Sequence, residues 1–411
     1  MKLFEVDTVE EAIDKIEAHA AALRPHKEKV LLPQAYGRVL AEDLHATADI
    51  PGFRRSTVDG YAVVAADTAG AGEAMPTLLG RRKPVLMGQA APEPIGRGEC
   101  AYVPTGGMVP QGADAVVMVE YCETLDDRTI AVGAAVAPGQ NVVGEAEEAQ
   151  AGALLLTRGS VLGAEQLGVL AAAGIFEVPV YRPWRVTVLS IGDELISPEQ
   201  TPCPGEVRDV NTYTLAAAAA AAGLSVVHTA VLPDEREPFA EAIRAGMNES
   251  DLVVVSGGSS QGEKDMTARL FDELAAPGVF THGLAIKPGK PAIFGWDEKT
   301  ATLLCGMPGH PVSALTVFRA VLLCCWRRCT GQPEPLGIPA VLQSNLPGAP
   351  GKASYQLLKL LWAEGELRAV PIFGKSGLIS TMAAANAYLV IDRNTEGLHS
   401  GEVVLAYPLH P

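Results

Sequence analysis

The feature that most constrains the fold is a regular alternation of short apolar runs with helical segments between residues 186 and 328. The runs are rich in β-branched residues, as in residues 186–190 and 251–256. Strands that alternate with helices form a parallel sheet with helices on both faces. We therefore predict a doubly wound α/β domain in this part of the chain.

The boundaries of its elements follow from the same pattern. The predicted strands cover residues 186–190, 225–231, 251–256 and 302–306. The predicted helices are one that Asn211 caps and Gly223 ends, followed by helices over residues 237–245, 265–274 and 311–328.

The regions on either side have different patterns of apolar and turn-forming residues. Thr8 and Glu11 form a capping box, which predicts a helix to about Arg24. Residues 50–120 alternate short β-branched runs with turn signals and predict a β-rich insertion, in which Asp59-Gly60 indicates a hairpin turn. Another helix is predicted over residues 164–173, ending at Gly174.

The last part of the chain is again rich in predicted strands. They lie near residues 356–362, 367–371, 387–391 and 403–406, and they predict a small closed barrel. A chain of 411 residues is too long for one ordinary core. We expect two to four domains.

Charge and composition restrict the partners. Acidic residues outnumber basic ones by 48 to 32, so a net charge of -16 argues against binding to nucleic acid or anionic membranes. The longest apolar stretch, residues 312–326, contains Arg319 and is short for a membrane span. The first residues lack an apolar signal core, and the seven cysteines include no Cys-x-x-Cys pair, so we predict a cytoplasmic protein.

Three loops follow predicted strands and are candidates for the ligand site. They cover residues 190–195, 256–265 and 306–311, and ligands of parallel sheets bind beyond the carboxyl ends of the strands. The second loop, which begins Ser256-Gly257-Gly258-Ser259, has the glycines and hydroxyls of a phosphate cradle. Asp265 at the next helix start suits Mg²⁺. The alternative is a long turn with Asp265 as a helix cap.

Charged residues near these loops have equally simple alternatives. Glu194 and Asp234 are candidate metal or acid–base groups, although both also suit helix starts. Lys287 and Lys290 flank a tight turn and form a candidate anion site, although an exposed turn is the better explanation when this segment is judged alone. We interpret His310 as a residue at a helix start rather than as a metal ligand.

Several motifs in chain order carry a resemblance to a known family. They are Ser56-Thr57-Val58-Asp59-Gly60-Tyr61-Ala62, Pro104-Thr105-Gly106-Gly107, Gly192-Asp193-Glu194-Leu195, the serine–glycine loop ending at Asp265, Lys287-Pro288-Gly289-Lys290-Pro291, Pro308-Gly309-His310-Pro311 and Lys375-Ser376-Gly377. Together they resemble the molybdopterin molybdenumtransferase family, of the MoeA and gephyrin E-domain type. The resemblance covers nearly the whole chain.

The resemblance implies four domains and a homodimer. The expected domains are an elongated dimerisation domain (residues 1–49 and 145–180), the β-rich insertion (50–144), an α/β molybdopterin-binding domain (181–330) and a C-terminal β-barrel (331–411). It implies transfer of molybdate into adenylylated molybdopterin with Mg²⁺ and release of AMP, and contact with other cofactor-synthesis proteins.

The resemblance also implies roles for individual residues. Asp265 and Glu194 would hold the metal, with Asp234 near the pterin phosphate. Asp59 and Thr105 would reach the cleft from the partner subunit. The expected substrate-binding residues are Ser256, Gly257, Gly258, Ser259, Lys287, Lys290, Pro308 and Ser376.

The chain departs from the family pattern at positions that usually carry arginine. Residues 140–148 contain none, Tyr102 precedes the Thr105 motif, and Lys352 keeps a positive charge without the bidentate fork of arginine. Two alternatives therefore stay open. One is a non-enzymatic molybdopterin-binding or scaffold paralogue, and the other is a Mg²⁺-dependent nucleotidyl or phosphoryl transferase.

Overall fold

The structure is a computed structural model that describes residues 6–257 and 264–409, without the side chains of Ala20, Ala21, Lys264 and Asp265. Helix α1 (Val9–His19) continues as a 3₁₀ turn to Leu23, close to the predicted end. Glu11 N–H donates to Thr8 Oγ1 (3.1 Å) and Thr8 N–H donates to Glu11 Oε2 (2.8 Å), which confirms the capping box.

The apolar side of α1 does not remain on the surface. Val9, Ile13 and Ile16 are buried in the same core as the α/β domain. Asp7 also joins that domain: its N–H donates to the Gly283 carbonyl and its carboxylate accepts from Thr281 Oγ1 (2.6 Å). The chain then forms strands β1 (Lys27–Leu31) and β2 (Leu44–His45).

The insertion is β-rich, as predicted. Its strands are β3 (Arg55–Ser56), β4 (Gly60–Val63), β5 (Thr77–Arg81), β6 (Glu99–Val103), β7 (Ala115–Met118), β8 (Cys122–Thr124), β9 (Thr129–Val132) and β10 (Val142–Val143). Six of them form one sheet in the order β7-β4-β6-β5-β9-β8, while β3 pairs with β10.

The predicted hairpin at Asp59-Gly60 is wrong, because β3 and β4 belong to different sheets. Gly60 has another purpose. A Cβ atom there would overlap the carbonyl oxygen of Val117 on the neighbouring strand, so glycine permits the close approach of β4 and β7.

The chain then returns to the first region. It forms β11 (Leu154–Leu156), helix α2 (Ala164–Ala172) and β12 (Glu177–Tyr181), which close antiparallel pairs with β2 and β1. Helix α2 ends as predicted, with Gly174 in the left-handed conformation at φ 70°.

The α/β domain contains the predicted parallel strands and further ones. Its strands are β13 (Arg185–Ile191), β14 (Leu195–Ile196), β15 (Val207–Arg208), β16 (Ser225–Leu232), β17 (Leu252–Gly257), β18 (Pro277–His282), β19 (Ile286–Lys287), β20 (Ile293–Asp297) and β21 (Thr302–Met307). The main sheet has the order β16-β13-β17-β21-β20-β18. The first four strands are parallel, and β20 and β18 extend the sheet as antiparallel strands that the sequence analysis did not predict.

Helices cover both faces of this sheet, which confirms the fold class. They are α3 (Asn211–Ala221), α4 (Arg236–Glu249), α5 (Lys264–Leu274), α6 (Pro311–Val317), a π-helical segment (Phe318–Leu323) and α7 (Cys324–Thr330). Alternate residues of β17 enter opposite cores: Val254 packs with α3 and α6, whereas Val253 and Val255 pack with α4 and α5. None of the described helices is long and apolar enough to cross a membrane.

The C-terminal region is a closed barrel, as predicted. Its elements are β22 (Ile338–Leu342), β23 (Leu346–Pro347), β24 (Ala353–Ala363), β25 (Glu366–Pro371), α8 (Ile379–Ala384), β26 (Ala387–Ile391), β27 (Gly397–Leu398) and β28 (Val403–Pro408). The strands run β24-β25-β22-β28-β26, and β26 pairs back with β24 to close five strands. The short strand β19 pairs with β24 and so joins the α/β domain to the barrel.

Candidate functional site

The carboxyl edge of the main sheet brings the three candidate loops together. Ile191 at the end of β13 is in register with Leu232 of β16 and Gly257 of β17, and Ser256 is in register with Met307 of β21. Because these strands are parallel, the loops that follow them leave from one edge.

Asn211 connects two of these loops. Its Nδ2 donates to Ser256 Oγ (2.6 Å) and to the carbonyl oxygen of Gly309 (2.7 Å), and its side chain is buried. The predicted capping role is therefore wrong: Asn211 is the first residue of α3, and Asp209 Oδ1 accepts from Thr212 N–H instead (3.3 Å). The sequence analysis did not select Asn211 as a site residue, because an asparagine at a helix start already has an ordinary explanation.

Two oxygen atoms beside this bridge lack hydrogen-bond donors within the described ranges. They are Oδ2 of Asp209 and Oδ1 of Asn211, in side chains that are only 3% and 8% exposed. An unsatisfied buried acceptor costs about 1–3 kcal/mol, and such atoms in native proteins usually bind water or a ligand. This part of the edge therefore offers acceptors to a cation, a water molecule or a donor group.

Gly257 marks the start of the glycine-rich loop. Its φ of 114° is in the region that favours glycine, and a Cβ atom would overlap the carbonyl oxygen of Ile191 on β13. Ser256 is buried, and its Oγ lies 3.5 Å from the carbonyl oxygen of Pro308. Gly258 and Ser259 lie outside the described residues, and so does the side chain of Asp265, although its backbone forms the start of α5.

Carboxylates extend along the same edge toward β16. The N–H of Asp234 donates to Asp193 Oδ1 (2.9 Å), which ties the loop after β16 to the loop after β13. Glu194 is exposed, and its carbonyl oxygen accepts from Val207 N–H, so the Asp209 segment runs beside it. Within the two described ranges, no group of three or more His, Cys, Asp or Glu side chains could hold a metal ion.

The lysine turn is placed where the α/β domain meets the barrel. Lys287 ends β19 in register with Ser354 of β24, and both Lys287 and Lys290 are exposed. Gly289 between them has a φ of 121°, and an added Cβ atom would be 2.6 Å from Val317 Cγ2. The turn thus packs tightly against α6, and neither lysine forms an ion pair with a described residue.

His310 and Ser376 make a second contact between these domains. His310 Nδ1 lies 2.9 Å from Ser376 Oγ, and the carbonyl oxygen of Ser376 accepts from Val312 N–H (3.2 Å). His310 precedes α6, as its interpretation as a helix-start residue requires. This contact was not predictable from the local sequence, because Ser376 is 66 residues away.

Asp59 and Thr105 meet each other within the insertion. The N–H of Thr105 donates to Asp59 Oδ1 (2.9 Å), so the carboxylate holds the Pro104–Gly107 turn. In the described part of the chain, no hydrogen bond or ion pair joins either residue to the α/β domain. The structure thus places these two candidates together but apart from the others.

The positions that depart from the family pattern have ordinary partners. Glu148 Oε1 accepts from Arg55 Nη2 (2.7 Å), and Asn141 Nδ2 donates to the Val116 carbonyl oxygen (2.9 Å). The Tyr102 ring meets that of Tyr61 edge to face, with centroids 5.8 Å apart.

Comparison with known proteins agrees with this architecture along the chain. Residues 7–174 match the family described as the MoeA N-terminal region (domain I and II), residues 187–327 match a probable molybdopterin binding domain, and residues 339–409 match the MoeA C-terminal region (domain IV).

Whole-length relatives give the same result. The Haemophilus influenzae protein named molybdopterin molybdenumtransferase is 31% identical over 388 residues, which are 93% of this chain and 94% of that protein. Its Bacillus subtilis namesake is 28% identical over 92% of this chain and 88% of its own length. The crystal structure of the Pyrococcus horikoshii molybdopterin biosynthesis MoeA protein is 31% identical and has a TM-score of 0.80, covering 98% of this chain and 100% of that one. The chain therefore belongs to the MoeA family.

Proposed function

We propose that this protein is a molybdenum insertase of molybdenum-cofactor biosynthesis, which transfers molybdate into adenylylated molybdopterin with Mg²⁺ and releases AMP. The observation that carries the proposal is the shared sheet edge, where Asn211 joins the Ser256 loop to the Pro308–Gly309 loop. Relatives that span the same length bear the name of this activity.

The roles that we assign to the residues are those that the resemblance to the MoeA family implies. Asp59, Glu194 and Asp265 are the proposed catalytic residues, with Asp59 and Thr105 supplied by the partner subunit of a homodimer. Asp234, Ser256, Gly257, Gly258 and Pro308 would bind the pterin phosphate region, and Lys287, Lys290, Ser259 and Ser376 would bind the molybdate or phosphate oxyanion.

The donor groups near Glu194 fit Mg²⁺. Carboxylate oxygens are its preferred protein ligands, and it usually takes one or two of them together with substrate phosphates. The unsatisfied oxygens of Asp209 and Asn211 lie beside the Glu194 segment and suit the water shell of such an ion. When bound to Glu194 and Asp265, Mg²⁺ would offset negative charge on the phosphoanhydride oxygens.

The two lysines compensate locally for the negative net charge of the protein. Molybdate and the pterin phosphate are both anions, and a protein with a net charge of -16 repels them at long range. Lys287 and Lys290 are exposed and have no ion-pair partner among the described residues, so they supply local positive charge and donors. They would hold molybdate near the pterin, so that binding energy serves orientation.

The test measures both products of the proposed reaction. The purified chain is mixed with adenylylated molybdopterin, Mg²⁺ and molybdate, and AMP release and protein- or pterin-bound molybdenum are followed together. An insertase releases AMP only when molybdate and Mg²⁺ are both present. Lys287→Met should raise the molybdate concentration for half-maximal rate by roughly tenfold, as loss of one charge-assisted hydrogen bond predicts, while the exposed barrel substitution Lys359→Met should not.

Other outcomes favour the other candidates. Tight binding of adenylylated molybdopterin without AMP release would exclude the insertase and support the scaffold paralogue, which the missing arginines in residues 140–148 favour. No binding at all would exclude both. Turnover of free nucleotides in the absence of the pterin would support a nucleotidyl or phosphoryl transferase.

The domain boundaries, the homodimer, the cytoplasmic location and contact with other cofactor-synthesis proteins belong to the same proposal. The antiparallel pairs β1–β12 and β2–β11 support one elongated domain made from two chain segments. Light scattering of the purified chain tests the dimer directly.

A further inference from the structure

A second anion-binding position is suggested by a cavity away from the sheet edge. The cavity has an empty volume of about 280 Å³, partly open to solvent, and it is lined by Thr316, Arg319, Tyr355, Leu357, Tyr388 and Leu409. It lies in the seam between the barrel and the long helix that runs from α6 through the π segment to α7.

Arg319 is the charged group of this cavity. It is partly buried, and burial lowers the pKa of its guanidinium from the ordinary value. No described residue accepts a hydrogen bond from it or forms an ion pair with it. Arg319 differs in this respect from Arg182, which pairs with Asp251 (2.9 Å), and from Arg38, which pairs with Glu28.

An arginine in this state is costly unless something pairs with it. Removing a cation from water without a partner carries a penalty of several kcal/mol, which proteins normally offset with an anion or acceptors. A guanidinium presents five donors in a planar fork, and it binds carboxylates and tetrahedral oxyanions through two of them at once. An external anion would supply the acceptor that the described residues do not provide.

Two phenol groups add donors on the barrel side. Tyr355 and Tyr388 stack with ring centroids 6.0 Å apart, and neither hydroxyl has a hydrogen-bond partner among the described residues. Burial raises the pKa of both phenols, so they are protonated at neutral pH and can donate. No carboxylate lines the cavity to repel an anion.

We propose that this cavity is a binding site for a small tetrahedral oxyanion, of the size of phosphate, sulfate or molybdate. Arg319 would bind it through the guanidinium fork, and the hydroxyls of Tyr355 and Tyr388 would donate to its remaining oxygens. Because Arg319 belongs to the helix and the tyrosines to the barrel, the ion would hold the two together.

The test uses the whole chain and follows thermal unfolding and calorimetric binding with inorganic phosphate, sulfate and molybdate at constant ionic strength. Specific binding stabilises the folded state by an amount that grows with ligand concentration and then follows its logarithm. We expect such a shift for at least one oxyanion, and none for chloride at the same ionic strength.

Variants separate this site from the sheet edge. Arg319→Met should weaken oxyanion binding by tenfold or more. Arg319→Lys should weaken it by less, because lysine keeps the positive charge although it lacks the guanidinium fork. Tyr388→Phe should weaken it several-fold. The exposed Arg393→Met is the matched control. Lys287→Met should leave binding at this cavity unchanged.

Three results would overturn the proposal. They are the absence of a saturable oxyanion effect, an effect that Arg319→Met leaves intact, and an effect that Lys287→Met abolishes while Arg319→Met does not. Circular dichroism of Arg319→Met shows whether the variant is folded. If Arg319→Met is not folded, the variants Tyr388→Phe and Arg319→Lys are measured separately instead. Unchanged oxyanion affinity in both of them contradicts the assignment. The proposal is independent of the insertase activity, which can fail without affecting it.

Discussion

Replacing Asn211 tests whether the bridge between the two loops holds the sheet edge together. Asn211→Ala removes two buried hydrogen bonds, to Ser256 Oγ and the Gly309 carbonyl oxygen, each contributing about 0.5–1.5 kcal/mol. It leaves the Gly309 oxygen without this donor, which costs about 1–3 kcal/mol more. It also removes the unsatisfied Oδ1 of Asn211, which stabilises the folded state by a similar free energy. The expected net loss in the free energy of unfolding is therefore about 1–3 kcal/mol.

Asn211→Asp tests the contribution of the two Nδ2 donors while the shape of the side chain is kept. Aspartate is isosteric, so it retains the unsatisfied oxygen while it removes both Nδ2 donors. It also places a carboxylate in a buried position two residues from Asp209. We expect the free energy of unfolding to fall by about 3–5 kcal/mol at neutral pH. This loss exceeds the one expected for Asn211→Ala, although alanine removes more atoms.

Chemical denaturation followed by tryptophan fluorescence measures both variants. Trp184, Trp296 and Trp326 are buried in the core of the α/β domain, so the signal reports on that domain. The control is Asn248, an exposed asparagine whose Nδ2 donates to a carbonyl oxygen of its own helix (3.0 Å). Its substitutions should change stability by less than about 0.5 kcal/mol. The reasoning is refuted if Asn211→Asp is no more destabilising than Asn211→Ala, or if either matches the Asn248 control.

Three further predictions follow from the geometry. Gly257→Ala should destabilise the α/β domain by about 2–4 kcal/mol in the same assay, because φ is 114° and the new Cβ atom overlaps a carbonyl oxygen, whereas Gly72→Ala, which has open space, should be neutral. Ser376→Ala should raise the molybdate concentration for half-maximal AMP release by roughly tenfold with little change in unfolding, if Ser376 binds molybdate as proposed. Burial alone would raise the pKa of Asp297, but hydrogen bonds from Thr300 and Ala276 hold it below its ordinary value. Its carboxylate therefore stabilises the fold above about pH 4, and the destabilisation by Asp297→Asn, measured by denaturation, should be full at pH 7 and shrink as the pH falls through the folded pKa.

The sequence predicted elements whose signals are local. The capping box at Thr8 needs only four residues, and its two hydrogen bonds are present. The parallel strands β13, β17 and β21 are almost entirely buried, and their apolar runs were recognisable from the sequence. Gly174 follows its helix in the conformation that a glycine there predicts.

The failures share a dependence on residues far along the chain. Asn211 was assigned to its own helix, but its donors serve residues 45 and 98 positions away. Gly60 appeared to belong to a turn, whereas its constraint is the Val117 carbonyl of another strand. Strands β18 and β20 are recognisable only from their pairing: β20 is antiparallel to β21, and β18 is antiparallel to β20. The location of the site at the carboxyl edge of the sheet could be predicted from the sequence, but the side-chain contacts within the site could not.

The packing of α1 against the α/β domain has a consequence for synthesis on the ribosome. Asp7 meets Thr281 across 274 residues of sequence. At about 5–20 residues per second, roughly 14–55 s pass between the synthesis of these two residues. During that interval the newly made helix has no sheet to receive Val9, Ile13 and Ile16. The nascent chain therefore carries an amphipathic helix whose apolar face lacks its main packing partner until the α/β domain emerges.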